Sequence, residues 1–174
     1  MPKVYHRFSD FSDKLLAWNG LGNLYRNLNR NDNAIAAYQK AIELDPKYAS
    51  PWNSLGIVCN LQKDYEKALN AFQKAVEIEP EVGTYRSSLV AVLRRLKQDE
   101  EAAQQIEIAR KLMEKESEYN RACFEAICGN IEESLRLLKI ALENKEIEID
   151  WARQDPDFDF IRDDPRFKEL VGLE

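Results

Sequence analysis

The sequence predicts an all-α solenoid, a stack of antiparallel helix pairs, from three observations. Two windows thirty-four residues apart, AWNGLGNLYRNLNRNDNAIAAYQKAIELDP and PWNSLGIVCNLQKDYEKALNAFQKAVEIEP, repeat the same residue types in the same order. Within each window the apolar residues recur at helical spacing in two blocks, as in Trp18, Leu21, Tyr25, Leu28 and then Ala34, Ile35, Tyr38, Ala41, Ile42. A proline closes each window, so the two helices of one copy are separated from the next copy by a fixed stop.

The register is strict. Trp18 maps to Trp52, Leu21 to Leu55, Gly22 to Gly56, Ala34 to Ala68, Tyr38 to Phe72, Ala41 to Ala75 and Pro46 to Pro80. A further step of the same length reaches Leu89, Leu93, Ala102, Ile106 and Ala109, a third copy without the tryptophan, glycine and proline. Gly22 and Gly56 fall in mid-helix, where glycine costs ~1 kcal/mol relative to alanine. That cost is offset if the partner helix approaches closely, with Ala34 and Ala68 as the matching small residues and the aromatics filling the space beside the contact. Asn29 occupies the turn between the first two helices and can adopt the left-handed backbone that such a turn requires.

The segment YNRACFEAICGNIEESLRLLKIALE reads as a fourth helix pair, with Gly129 at the turn, Ala122 in the small contact slot and Ala141 matching Ala109 after a two-residue slip of register. The slip puts Arg121 and Glu125 into core slots on one helix face, so both are expected to be partnered, with each other or with the tail. Beyond it, Asp155-Pro156 and Asp164-Pro165 each set a capping residue before a proline at the first helical position. Two short helices follow with apolar faces Phe158, Phe160, Ile161 and Phe167, Leu170, Val171, and Trp151 begins another. A stack of helix pairs leaves its last apolar face open, and this tail is expected to cover it.

The repeated residues spell W-x2-L-G-x2-Y, then A-x3-F, then P. The first copy fits with Tyr38 in the phenylalanine slot, and the second fits with Cys59 in the tyrosine slot. The chain therefore resembles the tetratricopeptide repeat family. The resemblance implies a right-handed superhelix of four such repeats over 15–148, near 15–48, 49–82, 83–114 and 115–148. An amino-terminal segment or partial cap takes 1–14, and a helical cap takes 149–174. The acidic DPDF and DDPRF stretches look like the extensions that close bacterial arrays of this family.

In the family the first helix of each repeat lines a concave face. Carried onto this sequence, the lining residues are Asn19, Asn23, Arg26 and Asn27; then Asn53, Ile57 and Asn60; then Ser87, Ser88, Arg94 and Arg95; then Tyr119, Asn120 and Cys123. Amide side chains offer both donors and acceptors and can satisfy the backbone of an extended peptide. The expected function is a non-enzymatic scaffold holding a peptide segment of a protein partner, with Arg94 and Arg95 drawing acidic side chains. The alternative is a regulatory or sensor module of a larger multidomain signalling protein, and self-association by edge-to-edge stacking is a third option. Some members grip a chaperone's terminal carboxylate with a Lys, Arg and Asn set. Only Asn23 of that set is present, with Asn19 and Ser88 in the lysine and arginine positions. Of the asparagine ladder of glycosyltransferase-associated arrays only Asn120 is present, with Gly20, Ser54 and Ser88 elsewhere.

Composition narrows the alternatives. With 44% hydrophobic and 32% charged residues the chain has the make-up of a soluble globular protein. No apolar run approaches the ~20 residues of a membrane span, and the first residues lack the apolar core of a secretory signal, so a cytoplasmic protein without membrane contact is expected. Residues 143 to 174 carry eleven acidic and five basic side chains, which accounts for the whole net charge of -6. With no dominant basic face, nucleic acid is not an expected partner. Cys59, Cys123 and Cys128 lack zinc spacing and read as small buried thiols, so neither metal nor cofactor is expected. His6 is the single histidine, and no glycine-rich phosphate loop or acid-base constellation suggests catalysis.

Overall fold

The computed structural model describes the backbone of residues 3–173 and the side chains of residues 12–173. His6, Tyr5, Phe8 and Phe11 have side chains outside the described residues. The described chain is helical throughout and divides into two compact units, Met1–Pro80 and Glu81–Glu174. Among the described residues no helix is long and apolar enough to cross a membrane.

The first unit holds α1 (Lys3–Asn27), α2 (Asn31–Leu44), α3 (Ala49–Leu61) and α4 (Tyr65–Ile78). The helices pair as α1 with α2 and α3 with α4, and α3 also packs on α2. α1 runs unbroken from Lys3 into the first repeat helix, so residues 3–14 share one helical backbone with it. Pro46 and Pro80 stand where the pattern places them, just past the C-caps Asp45 and Glu79. Asn29 has φ 56°, the left-handed turn expected of it.

Gly22 and Gly56 lie inside α1 and α3, but the group that uses the space they leave is not the alanine of the partner helix. A Cβ on Gly56 would lie 2.6 Å from Cδ1 of Phe72, and one on Gly22 would collide with the Tyr38 ring in the same way. The nearest atoms to each glycine thus belong to the aromatic ring expected beside the contact, ahead of Ala34 and Ala68. The glycine is a seat for the aromatic ring of the second helix. Ala34 is fully buried one turn away, in a cluster with Tyr38 and Val58 flanked by Tyr25, Ile35 and Leu55.

The second unit holds α5 (Gly83–Arg95), α6 (Asp99–Met113), α7 (Glu118–Cys128) and α8 (Ile131–Glu143), followed by α9 (Ile149–Gln154), a 3-10 turn (Pro156–Phe160) and α10 (Pro165–Val171). Asp155 and Asp164 cap as the sequence indicates, accepting from the backbone N–H of Asp157 and of Arg166. Ala152, Phe158, Ile161, Phe167 and Val171 form one core with Ala122, Cys123, Ala126, Leu137 and Leu138, so the tail does cover the last helix pair. Phe158 meets Phe167 at 5.3 Å between ring centroids. Trp151, expected to begin a further short helix, lies within α9 and is 63% exposed.

Candidate functional site

In the first unit the side chains mapped to a concave face are polar and only partly satisfied. Asn19 is buried at 8% exposure, and its Nδ2 donates to Ser50 Oγ at 3.4 Å. Its Oδ1, together with Oδ1 of Asn53 and Oδ1 of Asn60, is buried with no hydrogen-bond partner. Three amide acceptors lacking donors are costly, at about 1–3 kcal/mol each for a desolvated polar group. Arg26 and Ile57 are half-buried and Asn27 is exposed.

Asn23 has another task. Its Oδ1 accepts from the Tyr38 hydroxyl at 2.8 Å, which satisfies a phenol that is otherwise fully buried. Burial is also the main cause that raises the Tyr38 pKa above its ordinary value. In the next copy Phe72 replaces Tyr38 and Ile57 replaces Asn23, so the polar pair and the apolar pair are exchanged together.

The second unit differs more from expectation. Arg94 donates through Nη1 to the carbonyl oxygen of Ile127 at 2.6 Å, and its guanidinium lies 5.7 Å from the Phe160 ring centroid. Arg95 donates through Nη2 to the carbonyl oxygen of Pro156 at 2.7 Å and faces Asp159 at 4.0 Å. Tyr119 donates to Asp155 Oδ2 at 2.6 Å, and the Cys123 thiol approaches the same oxygen at 3.9 Å. The arginine pair expected to draw an acidic partner is therefore engaged by the chain's own acidic, aromatic tail. The signal is present in the sequence, since DPDFDF carries the charge and rings that a pair of arginines attracts. Ser87 is buried, Ser88 Oγ donates to the Thr84 carbonyl oxygen at 3.1 Å, and Asn120 Nδ2 donates to Glu116 at 3.0 Å.

Among the described residues Glu125 and Arg121 do not pair with each other or with the tail. Glu125 is buried and accepts from Arg110 of α6 at 2.5 Å and from Asn130 Nδ2 of the following turn at 2.5 Å. Arg110 also lies over the Phe124 ring at 5.5 Å. Arg121 is half-buried in a recess shared with Arg110, Glu125 and Glu133. Its charge adds to the stronger Arg136 hydrogen bond in holding the Glu133 carboxyl below the usual range.

Among the described residues, those that could serve a metal are Cys123, Asp155 and Asp157, whose ligand atoms lie within 4.8 Å of one another. Two of them already face protein groups, Asp155 the Tyr119 hydroxyl and Asp157 the Arg95 charge. Burial pushes the Cys128 thiol up to about 12 and raises those of Cys59 and Cys123, so all three cysteines keep their protons and lack thiolate reactivity. Cys59 and Cys123 are buried as expected, and Cys128 is half-buried.

Helix pairs that recur at a fixed interval, seat an aromatic on a glycine and end at a proline define a helical repeat protein. Family models agree: one described as "TPR repeat" matches residues 22–59, and one described as "Tetratricopeptide repeat" matches residues 49–82. The chain carries tetratricopeptide repeats over residues 22–82. No curated protein sequence matches it. Among solved structures, YrrB, "a TPR protein with an unusual peptide-binding site", superposes with a TM-score of 0.57 at 22% identity, over 98% of this chain and 90% of that one. The TPR2B domain of yeast Sti1, solved in a "TPR2B-domain:pHsp70-complex", gives a TM-score of 0.60 at 17% identity, over 71% of this chain and 97% of its own. A chain of the CopN-Scc3 complex gives 0.60 at 18% identity, over 69% and 70%.

Proposed function

We propose that the chain is a non-enzymatic interaction scaffold, and that its first unit receives an extended peptide segment of a protein partner along the face formed by α1 and α3. The observation that carries this reading is the set of three buried amide oxygens, on Asn19, Asn53 and Asn60, without donors. These oxygens face inward, so the amides would turn outward on binding, where the regularly spaced backbone N–H groups of an extended peptide would each satisfy one without requiring a particular side chain. Asn19 and Asn53 hold the same position in consecutive copies, which gives a repeating acceptor for a repeating donor. The peptide-binding site described for YrrB and the pHsp70 complex described for yeast Sti1 support a binding role for the fold. The arginine pair of the second unit is not part of this surface, because the tail already engages it.

Affinity selection of a random peptide library on the wild type and on an Asn19→Ala, Asn53→Ala, Asn60→Ala variant tests the proposal. Three lost hydrogen bonds of about 1 kcal/mol each predict a loss of roughly a hundredfold in affinity for selected peptides. Equal affinity for both proteins would remove the asparagine surface as the site.

A further inference from the structure

Arg121 stands in a core slot of α7, half-buried, and among the described residues no hydrogen bond or ion pair reaches its guanidinium. The carboxylates around it are already taken. Glu125, one turn further along α7, accepts from Arg110 and from Asn130 Nδ2, each at 2.5 Å. Glu133, in the first turn of α8, accepts from Arg136 through both oxygens at 2.7 Å. The Glu118 carboxyl, one turn before Arg121, is held below the usual range first by a hydrogen bond with Glu146, and the Arg121 charge comes last among the causes. Arg121 thus acts on its neighbours only through space, while other groups make the bonds. It opens on a recess of 270 Å³ between α6, α7 and α8, which Arg110, Glu125 and Glu133 also line, with Met113 and Phe124 as its apolar members. Arg110 uses only Nη1 on Glu125, so the rest of its fork is left for a further acceptor.

We propose that this recess binds a small carboxylate-bearing molecule, with Arg121 as the principal contact and Arg110 as the second. A guanidinium keeps its proton, so Arg121 cannot become neutral beneath the surface, and a planar carboxylate matches its fork with two parallel N–H···O bonds. The charge count selects a singly charged group. Once Glu125 is set against Arg110 and Glu133 against Arg136, the positive charge of Arg121 remains, and exposed Glu114 in the same wall opposes a dianion such as a phosphate monoester. The volume lies just under the range of about 300–1,000 Å³ typical of small-molecule sites, which suits a compact acid. The recess is built wholly from the second unit, so it is independent of the asparagine face of the first. The acid can be a free molecule or the end of a peptide chain, since both present the same group.

NMR titration of the isotope-labelled full chain at neutral pH tests this, with sodium benzoate, with a short peptide ending in leucine as its free acid or its amide, and with sodium chloride at equal concentration as the ionic control. Benzoate is expected to give saturable shifts at amides around Arg110, Arg121 and Phe124. Arg121→Leu puts an apolar residue into a core slot, so it should fold with an equal or higher thermal transition and weaken benzoate at least about tenfold. Arg121→Lys, which keeps the charge without the fork, should fall between, and Lys111→Gln, at an exposed cation of α6, should bind as the wild type does. Shifts from the free-acid peptide without shifts from benzoate would support the site with a chain end as its ligand. The proposal is overturned if no carboxylate gives a saturable shift, if chloride gives the same shifts, if the amide peptide binds as tightly as the acid, or if Arg121→Leu leaves benzoate affinity unchanged.

Discussion

The Arg95 guanidinium lies 4.8 Å above the ring centroid of Phe160, and this stack ties a repeat helix to the tail sixty-five positions later. The same arginine donates to the Pro156 carbonyl oxygen, so the 3-10 turn is held by a planar group that satisfies one acceptor and stacks on one ring. A cation over an aromatic face contributes about 0.5–2 kcal/mol, and the half-buried ring adds a hydrophobic share. Phe160→Ala is expected to destabilise the second unit by about 2–3 kcal/mol in urea denaturation. Arg95→Lys should lose a smaller but clear part of that, because an ammonium cannot both stack and fork. A Phe160→Ala protein within a few tenths of wild type would show that the stack is incidental.

Asp157 gives the tail a pH dependence. Burial, and then the neighbouring Asp155 charge, push its carboxyl up to about 7, with Arg95 offsetting only part of the effect. In the unfolded chain an aspartate titrates near ~3.9. Between these values the folded protein binds a proton that the unfolded chain does not, so stability falls as pH rises from about 4 to about 7. The upper bound on that loss is about 4 kcal/mol, at ~1.4 kcal/mol for each tenfold difference in proton affinity between the folded and unfolded chain. Denaturation midpoints measured at pH 5 and at pH 8 should show the second unit weaker at the higher value. Asp157→Asn should flatten that difference and be the more stable protein at pH 8. Loss of stability on going from pH 8 to pH 5 would contradict the assignment.

The parts of the fold that can be read in the sequence are those that repeat. Thirty-four-residue spacing locates the helix pairs, prolines locate their ends, and the Asp-Pro steps locate the tail turns, because each is a local preference that the chain states more than once. What cannot be read is contact between elements far apart in sequence. The glycine seats imply some close approach, but only coordinates show that Tyr38 and Phe72 take the space. Asn23 reads as a binding residue because its slot lines a face in the family, whereas its oxygen is taken by the Tyr38 hydroxyl. The joint change to Ile57 and Phe72 one copy later is a visible clue to that pairing. Arg94 and Arg95 read as free for a partner because nothing local in the sequence shows that DPDFDF reaches them. Glu125 likewise finds Arg110, fifteen positions back on α6.

Gly56→Ala should act against the usual gain from replacing a helical glycine. Helix propensity favours alanine by about 1 kcal/mol. The new methyl, however, would sit 2.6 Å from two Phe72 ring atoms, which must then move, and overpacking of that kind costs about 1–3 kcal/mol. A net loss of stability is expected in thermal or chemical denaturation of Gly56→Ala. Adding Phe72→Leu, which removes the ring, should make the two substitutions together less harmful than their sum. Strict additivity in that double-mutant cycle would mean that ring and glycine do not share the space.

The turns between paired helices supply a contrasting prediction. Asn29, Lys63, Lys97 and Gly129 occupy corresponding turn positions in the four copies, and all have positive φ, at 56°, 62°, 58° and 83°. Glycine accepts this backbone freely and asparagine nearly so, while lysine has no local hydrogen bond to compensate a Cβ crowded against the carbonyl, a cost of about 1–2 kcal/mol. Part of that is regained by lysine's smaller backbone freedom in the unfolded chain, so Lys63→Gly and Lys97→Gly should each stabilise by about 0.5–1 kcal/mol. Asn29→Gly should be close to neutral, and Gly129→Ala should destabilise by at least about 1 kcal/mol. Chemical denaturation of the four single variants reads the series directly, and the left-handed backbone predicts its order: lysine sites gaining, asparagine unchanged, glycine losing. If the lysine variants lose stability instead, Lys63 and Lys97 contribute through their side chains more than the turn geometry costs them.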